Sequence, residues 1–171
     1  GRNMDYLPAP AYHLVNMDYY LQPNEWLIRG VLLSGFYMFT SRGCPFACNF
    51  CAARKTDVRY RNPKLVVDDI EYLVKTYNID GLYFYDDTFS IKKSHVMEIC
   101  EEIERRNIKI LWACETRANL LTDDLLAAMK KSGCIQIDFG IETGSDRLGD
   151  EVEKGVTVTE AIEAFKLCKK H

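Results

Sequence analysis

Four short apolar runs, at residues 36–39, 82–85, 110–114 and 135–139, alternate with segments of helical periodicity. That alternation restricts the fold more than any other feature of the chain. Apolarity that is continuous rather than alternating suits strands buried on both faces, as in parallel sheets. Between the runs, Val66, Ile70, Leu73, Val74 and Tyr77 recur at spacings of three and four, which predicts an amphipathic helix over 64–77. Val96, Ile99, Cys100 and Ile103 predict another over 93–106. Thr122, followed by Asp123 and Asp124, predicts a helix start, and Gly133 its end. Thr157 with Glu160 has the spacing of a capping box and opens a last helix running to about Lys170.

The resulting order is strand then helix, repeated, which is α/β with a parallel sheet. One β/α unit takes about 30 residues, and a closed eight-fold barrel about 250. The 171 residues therefore hold about four such units, too few to close that barrel. The chain begins with Gly1 and stops at His171, where a helix finishes and a strand would be due. We expect an excised core, truncated at its C-terminus, over 36–171. Residues 1–35 are broken by Asn3, Pro8, Pro10, Pro23, Asn24 and Gly30. They predict an irregular lead-in with one short hairpin near 26–33. A truncated sheet leaves a strand edge open. The expected remedies are a dimer through that edge or the lead-in folded over it.

Lysine and arginine number 22 and aspartate and glutamate 25, for a net charge of −3. That balance argues against a general binder of nucleic acid or of membrane surfaces. No apolar run approaches the ~18 residues of a membrane span, and the N-terminus has no signal-peptide pattern. The expected setting is cytoplasmic, without a membrane partner. The unusual entry in the composition is cysteine, at seven. A closed disulfide framework cannot use an odd number. Cys44, Cys48 and Cys51 fall within eight residues, directly after the first strand. Loops at that end of parallel strands are where α/β proteins place ligands. Structural zinc and ordinary iron–sulfur sites take four protein ligands. Three thiolates on a cubane cluster leave one iron free to bind something else. The competing assignment is a structural zinc with His13 or Cys114 as the fourth ligand. Cys100, Cys114, Cys134 and Cys168 are scattered, as expected of small apolar fillers.

The run Ser41-Arg42-Gly43-Cys44-Pro45-Phe46-Ala47-Cys48-Asn49-Phe50-Cys51 closely resembles the cluster loop of radical S-adenosylmethionine enzymes. Gly81-Leu82-Tyr83-Phe84-Tyr85-Asp86-Asp87-Thr88-Phe89 resembles the second strand of the subgroup that contains methylthiotransferases and cobalamin-dependent members. Trp112-Ala113-Cys114-Glu115-Thr116-Arg117 resembles its third strand, and Gly140-Ile141-Glu142-Thr143-Gly144-Ser145 the loop after its fourth. The match spans about 36–170. The lead-in is similar to the linker that follows a cobalamin-binding domain. The resemblance implies a partial parallel (βα) barrel, a (βα)6 core of which about four units are present and about two are missing here. It implies a [4Fe–4S] cluster on Cys44, Cys48 and Cys51, and S-adenosylmethionine chelated to the fourth iron. That cofactor would be cleaved reductively to methionine and a 5′-deoxyadenosyl radical. It further implies an electron donor of flavodoxin or ferredoxin type, a substrate that is a small molecule or of unknown class, and a parent enzyme of radical methyl transfer or a related C–C or C–S bond formation, with cobalamin as a further cofactor.

The other candidate cofactor ligands are Phe50, Asp86, Glu115, Arg117 and Glu142. The resemblance places Phe50 near the adenine and the strand end at Asp86 near the cofactor's amino group. Glu115 and Arg117 share strand spacing and would point the same way. A guanidinium there can hold a carboxylate in a two-pronged bond, so Arg117 is the candidate for the cofactor's carboxylate. The competing assignment is an internal Glu115–Arg117 pair. Glu142 is a candidate acceptor for the ribose hydroxyls or the amino group. Ser145 reads as the N-cap of a short helix from Asp146, and Gly149, where the family more often has a helix former, puts that helix's regularity in question. Arg54, Lys55, Arg59, Arg61 and Lys64 read as a solvated connection, and His13, His95 and His171 as surface or structural. Two other assignments compete: an inactive fragment of such an enzyme, and a simple electron-transfer protein.

Overall fold

The computed structural model describes residues 4–171; the expected break at Asn3 lies outside them. Its elements are α1 (Met17–Tyr20), β1 (Asn24–Ile28), β2 (Val31–Leu33), β3 (Gly35–Met38), β4 (Ser41–Arg42), β5 (Arg59–Tyr60), α2 (Pro63–Tyr77) and β6 (Gly81–Phe84). They continue with α3 (Lys93–Arg105), β7 (Leu111–Thr116), α4 (Asp123–Lys131), β8 (Cys134–Phe139), α5 (Asp146–Glu151) and α6 (Val158–Lys170). β3, β6, β7 and β8 form one parallel sheet in that order. The helices between them start and stop on the expected chemistry. Asn62 caps α2 by accepting from Lys64 N at 2.9 Å, with Pro63 at the first helical position, and Asn78 ends it at φ 53°. Thr157 and Glu160 make both bonds of the capping box. Thr122 holds the N-cap position of α4, but its hydroxyl bonds Asp124 Oδ1 at 2.6 Å instead of the backbone. α5 runs through Gly149, where an added Cβ would meet nothing closer than 3.7 Å.

Successive strand residues face opposite ways, so the sheet has two faces. On the outer face, Leu82, Phe84, Trp112 and Cys114 pack against Val66, Ile70 and Leu73 of α2, Val96 and Ile99 of α3, and Leu125 and Met129 of α4. Phe84 and Phe89 stack at 4.7 Å, and Trp112 meets both edge-on. The Trp112 indole donates to Ser132 O at 3.0 Å, so this large ring is buried with its polar atom satisfied. The inner face carries Tyr37, Tyr83, Ala113 and Gln136 in register, with Glu115 beside Asp138.

The lead-in does fold as a hairpin, β1 against β2, turning through Gly30 at φ 74°. The chain ahead of the hairpin lies beside edge strand β3, where Tyr12 meets Phe36 edge-on at 5.4 Å, but the hairpin itself does not cover that edge. Leu27, Ile28 and Leu33 instead pack onto Tyr83 and Ala113, plugging one end of the inner face. Gly35 and Gly81 make room for this. A Cβ on Gly35 would lie 2.1 Å from Gly81 O and 2.4 Å from Leu27 Cδ2. β3 and β8 remain the edges of the sheet among the described residues.

The exit of β3 is pinned by a buried polar network. Asp86, at the end of β6, accepts from Thr40 N at 2.7 Å, Thr40 Oγ1 at 2.5 Å and Ser41 Oγ at 2.8 Å. His95 of α3 meets Thr40 Oγ1 through Nε2 at 3.2 Å and lies 4.9 Å from the Tyr60 ring. Burial, with the nearby Lys92 charge, lowers the His95 pKa from 6.5 to about 4, so this imidazole is neutral. Burial pushes the Asp86 carboxyl above the usual carboxylate range, against the bonds from Thr40 and Ser41.

Two outcomes follow from this packing. Gly35→Ala should cost about 1–3 kcal/mol in denaturant unfolding, because backbone cannot move aside. Gly144→Ala, where a Cβ meets open space, should stay within about 0.5 kcal/mol. Because His95 binds its proton less tightly folded than unfolded, its contribution to stability is lost as pH falls from 6.5 towards about 4. Denaturation midpoints taken across that window should fall less steeply for His95→Gln than for the parent chain.

Candidate functional site

The cysteine segment leaves the sheet at Thr40 and returns at Tyr60, closed at its base by the two-residue antiparallel pairing of β4 with β5. Gly43 turns the chain at φ 102°, where a Cβ would sit 2.3 Å from Asp57 O. Its N–H donates to Asp87 Oδ2 at 2.8 Å, which ties the loop to the end of β6. Within the loop, Cys44 N donates to Thr56 Oγ1 and Thr56 N to Cys44 O, at 2.8 and 2.9 Å. Lys55 N reaches Phe46 O at 2.8 Å and Cys51 N reaches Cys48 O at 3.1 Å. Cys44 and Cys48 are buried and Cys51 is half-buried, all three with free thiols. Cys44 Sγ lies 3.7 Å from Thr88 Oγ1.

The segment after α5 clasps this loop from the other side. Asn49 donates from its backbone to Val152 O at 3.1 Å and from Nδ2 to Glu151 O at 2.9 Å. Arg117, just past β7, crosses underneath. Its Nη1 lies 3.5 Å from Cys48 Sγ, its Cζ sits 3.8 Å over the Phe46 ring, and its Nη2 donates to Lys154 O and to Gly155 O, the latter at 3.1 Å. Lys154 is itself buried. Its Nζ pairs with Glu142 Oε1 at 3.0 Å and lies 6.0 Å from the Phe50 ring centroid. Phe50, Glu142 and Arg117 thus gather around the cysteine loop. Lys154 was not foreseen: Glu153-Lys154-Gly155 has the composition of a solvated turn, and its burial comes only from the clasp.

Two of the expected ligands are engaged by other groups of the protein. The Asp86 carboxylate is turned inward onto Thr40 and Ser41 and is 1% exposed, so the side chains from that strand end that reach the cysteine loop are those of Asp87 and Thr88. Glu115 forms no pair with Arg117. It accepts from Tyr83 Oη at 3.3 Å, in an inner-face network where Tyr83 also donates to Asp138 Oδ2 at 2.7 Å and Gln136 Nε2 donates to Asp138. Burial, then these carboxylates, raise the Tyr83 pKa far enough to keep the phenol protonated. β7 ends at Thr116, and past it Arg117 is drawn under the cysteine loop. Nor does Arg117 offer a free fork for a carboxylate, since its two terminal nitrogens already face Cys48 and the two carbonyls. The half-exposed rings of Tyr37 and Tyr85 lie beside Tyr83 on the same inner face, 5.6 and 5.9 Å away.

The zinc alternative finds no fourth ligand where the sequence offered one. His13 is exposed in the lead-in, and Cys114 is fully buried on the outer face. Among the described residues, no three His, Cys, Asp or Glu side chains converge as ligands of a single ion. A cubane asks less, because each thiolate binds its own iron. Burial pushes the Cys100 thiol up to about 12 and raises that of Cys114, as suits apolar fillers.

Residues 38–171 match the family model of the radical SAM superfamily. An uncharacterised methyltransferase of Pyrococcus horikoshii is 34% identical over 99% of this chain, and an anaerobic magnesium-protoporphyrin IX monomethyl ester cyclase of Rubrivivax gelatinosus is 37% identical over 75%. The chain spans only 36% and 24% of those two relatives. Among solved structures, the cobalamin-dependent S-adenosylmethionine radical enzyme OxsB, with aqua-cobalamin and S-adenosylmethionine bound, is 25% identical with a TM-score of 0.68 over 79% of this chain and 22% of its own. The radical S-adenosylmethionine methyltransferase TsrM of Kitasatospora setae, 19% identical, shares the fold with a TM-score of 0.77 over 99% of this chain and 33% of its own. The four parallel β/α units, the closed three-cysteine loop after the first of them, and the family match over 38–171 lead to one assignment: this chain belongs to the radical S-adenosylmethionine superfamily.

Proposed function

We propose that this chain is the cofactor-binding core of a radical S-adenosylmethionine enzyme and that its parent is a cobalamin-dependent radical methyltransferase acting on a small molecule. The observation that carries the first part is the trio Cys44, Cys48 and Cys51 on one closed loop, with a buried guanidinium against it. The donor set fits a cluster with one open iron: three thiols, and a buried positive charge without a carboxylate partner among the described residues. When bound, the cluster and S-adenosylmethionine together supply a one-electron cleavage of a carbon–sulfur bond, the electron coming from a flavodoxin- or ferredoxin-type donor. The methyltransferase assignment rests on the likeness to the uncharacterised methyltransferase of Pyrococcus horikoshii and to the cobalamin-dependent enzyme OxsB.

The protein's own part is to hold, orient and keep dry. The Phe50 ring is 55% exposed and offers a face for the adenine. Glu142, paired with Lys154, would accept from ribose hydroxyls or an ammonium group. Glu115, on the inner face with Tyr83, is a further acceptor. Tyr37, Tyr83 and Tyr85 wall that face with rings. A reducing, cytoplasmic setting suits seven free thiols.

Anaerobic reconstitution with iron and sulfide tests the assignment. The chain should take up a cluster whose EPR signal, once reduced, changes on addition of S-adenosylmethionine. Cys44→Ala, Cys48→Ala and Cys51→Ala should each lose the stoichiometric cluster, while Cys168→Ala keeps it. Methionine released under a low-potential reductant would separate an active core from an inactive piece. Stoichiometric zinc without iron would defeat the assignment. So would a cluster signal indifferent to S-adenosylmethionine, which would mark an electron-transfer protein.

A further inference from the structure

Arg117 is the most unusual charge in the molecule. Its side chain is buried, the residue being 5% exposed, yet no ion pair of the described residues includes it. A buried ion without a counter-charge is strongly disfavoured. The partners present are one ring face, two carbonyl oxygens and the sulfur of Cys48. The Nε–H has no partner at all among the described residues. Phe46 and the carbonyls of Lys154 and Gly155 restrict where the guanidinium can go, and so aim Nη1 at the sulfur. The missing negative charge must come from the thiol side of the site or from what the thiols bind.

We infer that Arg117 is a positioning residue for the cluster's redox state: it donates to the Cys48 sulfur and raises the reduction potential of the cluster held by Cys44, Cys48 and Cys51. This rests on the cluster assignment above. A one-electron reduction makes the cluster one unit more negative. A fixed cation and an N–H donor at a ligand sulfur favour that product over the oxidised form. The electron comes from an external low-potential donor, and no bond in the protein forms or breaks. The role differs from gripping the carboxylate of S-adenosylmethionine, because it operates with that cofactor absent.

The test uses the reconstituted chain without S-adenosylmethionine. In an EPR-monitored redox titration, Arg117→Gln should keep its iron and titrate at a more negative midpoint. At fixed poise its ratio of reduced to oxidised cluster should fall about tenfold, which is about 59 mV for one electron. A second measurement needs no variant to fold. Protein labelled with 15N at the arginine guanidino group should show a 15N hyperfine coupling to the reduced cluster. A cluster-loaded Arg117→Gln variant with an unchanged midpoint overturns the inference and leaves the cluster assignment standing. Absence of the 15N coupling in the parent chain overturns it equally. Failure of the parent chain to take up iron removes the cluster assignment itself, and this inference with it.

Discussion

Parallel sheets are ordinarily covered on both faces, and this one covers its two faces by different means and to different extents. The outer face is covered by α2, α3 and α4, whose apolar sides meet Leu82, Phe84, Trp112 and Cys114 without leaving the interior open. Among the described residues, no helix layer covers the inner face. A hairpin from the lead-in closes one end of it through Leu27, Ile28 and Leu33. The remainder carries Tyr37, Tyr85 and Glu115, which stay partly exposed. The protein thus spends its packing on one side and keeps a lined, incompletely covered surface on the other. The strand ends that bear the cysteine loop open from that sheet.

The loop itself has little apolar support and is held by polar cross-ties from later parts of the chain. Asp86 anchors its entry, Asp87 its first turn, and the Glu151–Gly155 stretch its far side. The partners of these bonds lie 38 to 102 residues apart in sequence. The loop geometry therefore forms only once β6, β7 and the region after β8 have docked. Contacts of such long range are costly in chain entropy until the sheet exists. The sheet is in this sense a precondition of the site and not merely its platform.

The elements of the fold were legible in the sequence because each depends on local chemistry: apolar runs, three-and-four spacing, Pro63 with Asn62, Thr157 with Glu160. The cysteine spacing was legible for the same reason. What was not legible depends on direction in space. Asp86 and Asp87 are adjacent, and nothing local says which turns inward onto Thr40 and which outward to Gly43. Strand periodicity put Arg117 with Glu115, but β7 stops one residue short of it. Past that point the pull of Cys48, Phe46 and two carbonyls decides. Lys154 has the composition of a solvated turn, and only the clasp buries it. The lead-in hairpin was visible, while its place on the face and not the edge follows from Gly35 and Gly81, whose missing side chains admit Leu27.

Arg117 and Lys154 together show how the site sets its charge. Two cations are buried within one clasp, and only Lys154 has a carboxylate, Glu142, to balance it. Were Arg117 purely structural, an apolar side chain would serve with less desolvation. Its unpaired charge is instead set beside a cysteine, the side chain whose deprotonated form ligates metal. The same guanidinium is held in place by backbone carbonyls from the far loop. The clasp therefore links two things that need not have been linked: the docking of the last β/α connection and the electrostatics at the cysteine sulfur. Loosening the Glu151–Gly155 segment would release the guanidinium along with the loop, so the charge at Cys48 is present only when that connection is docked.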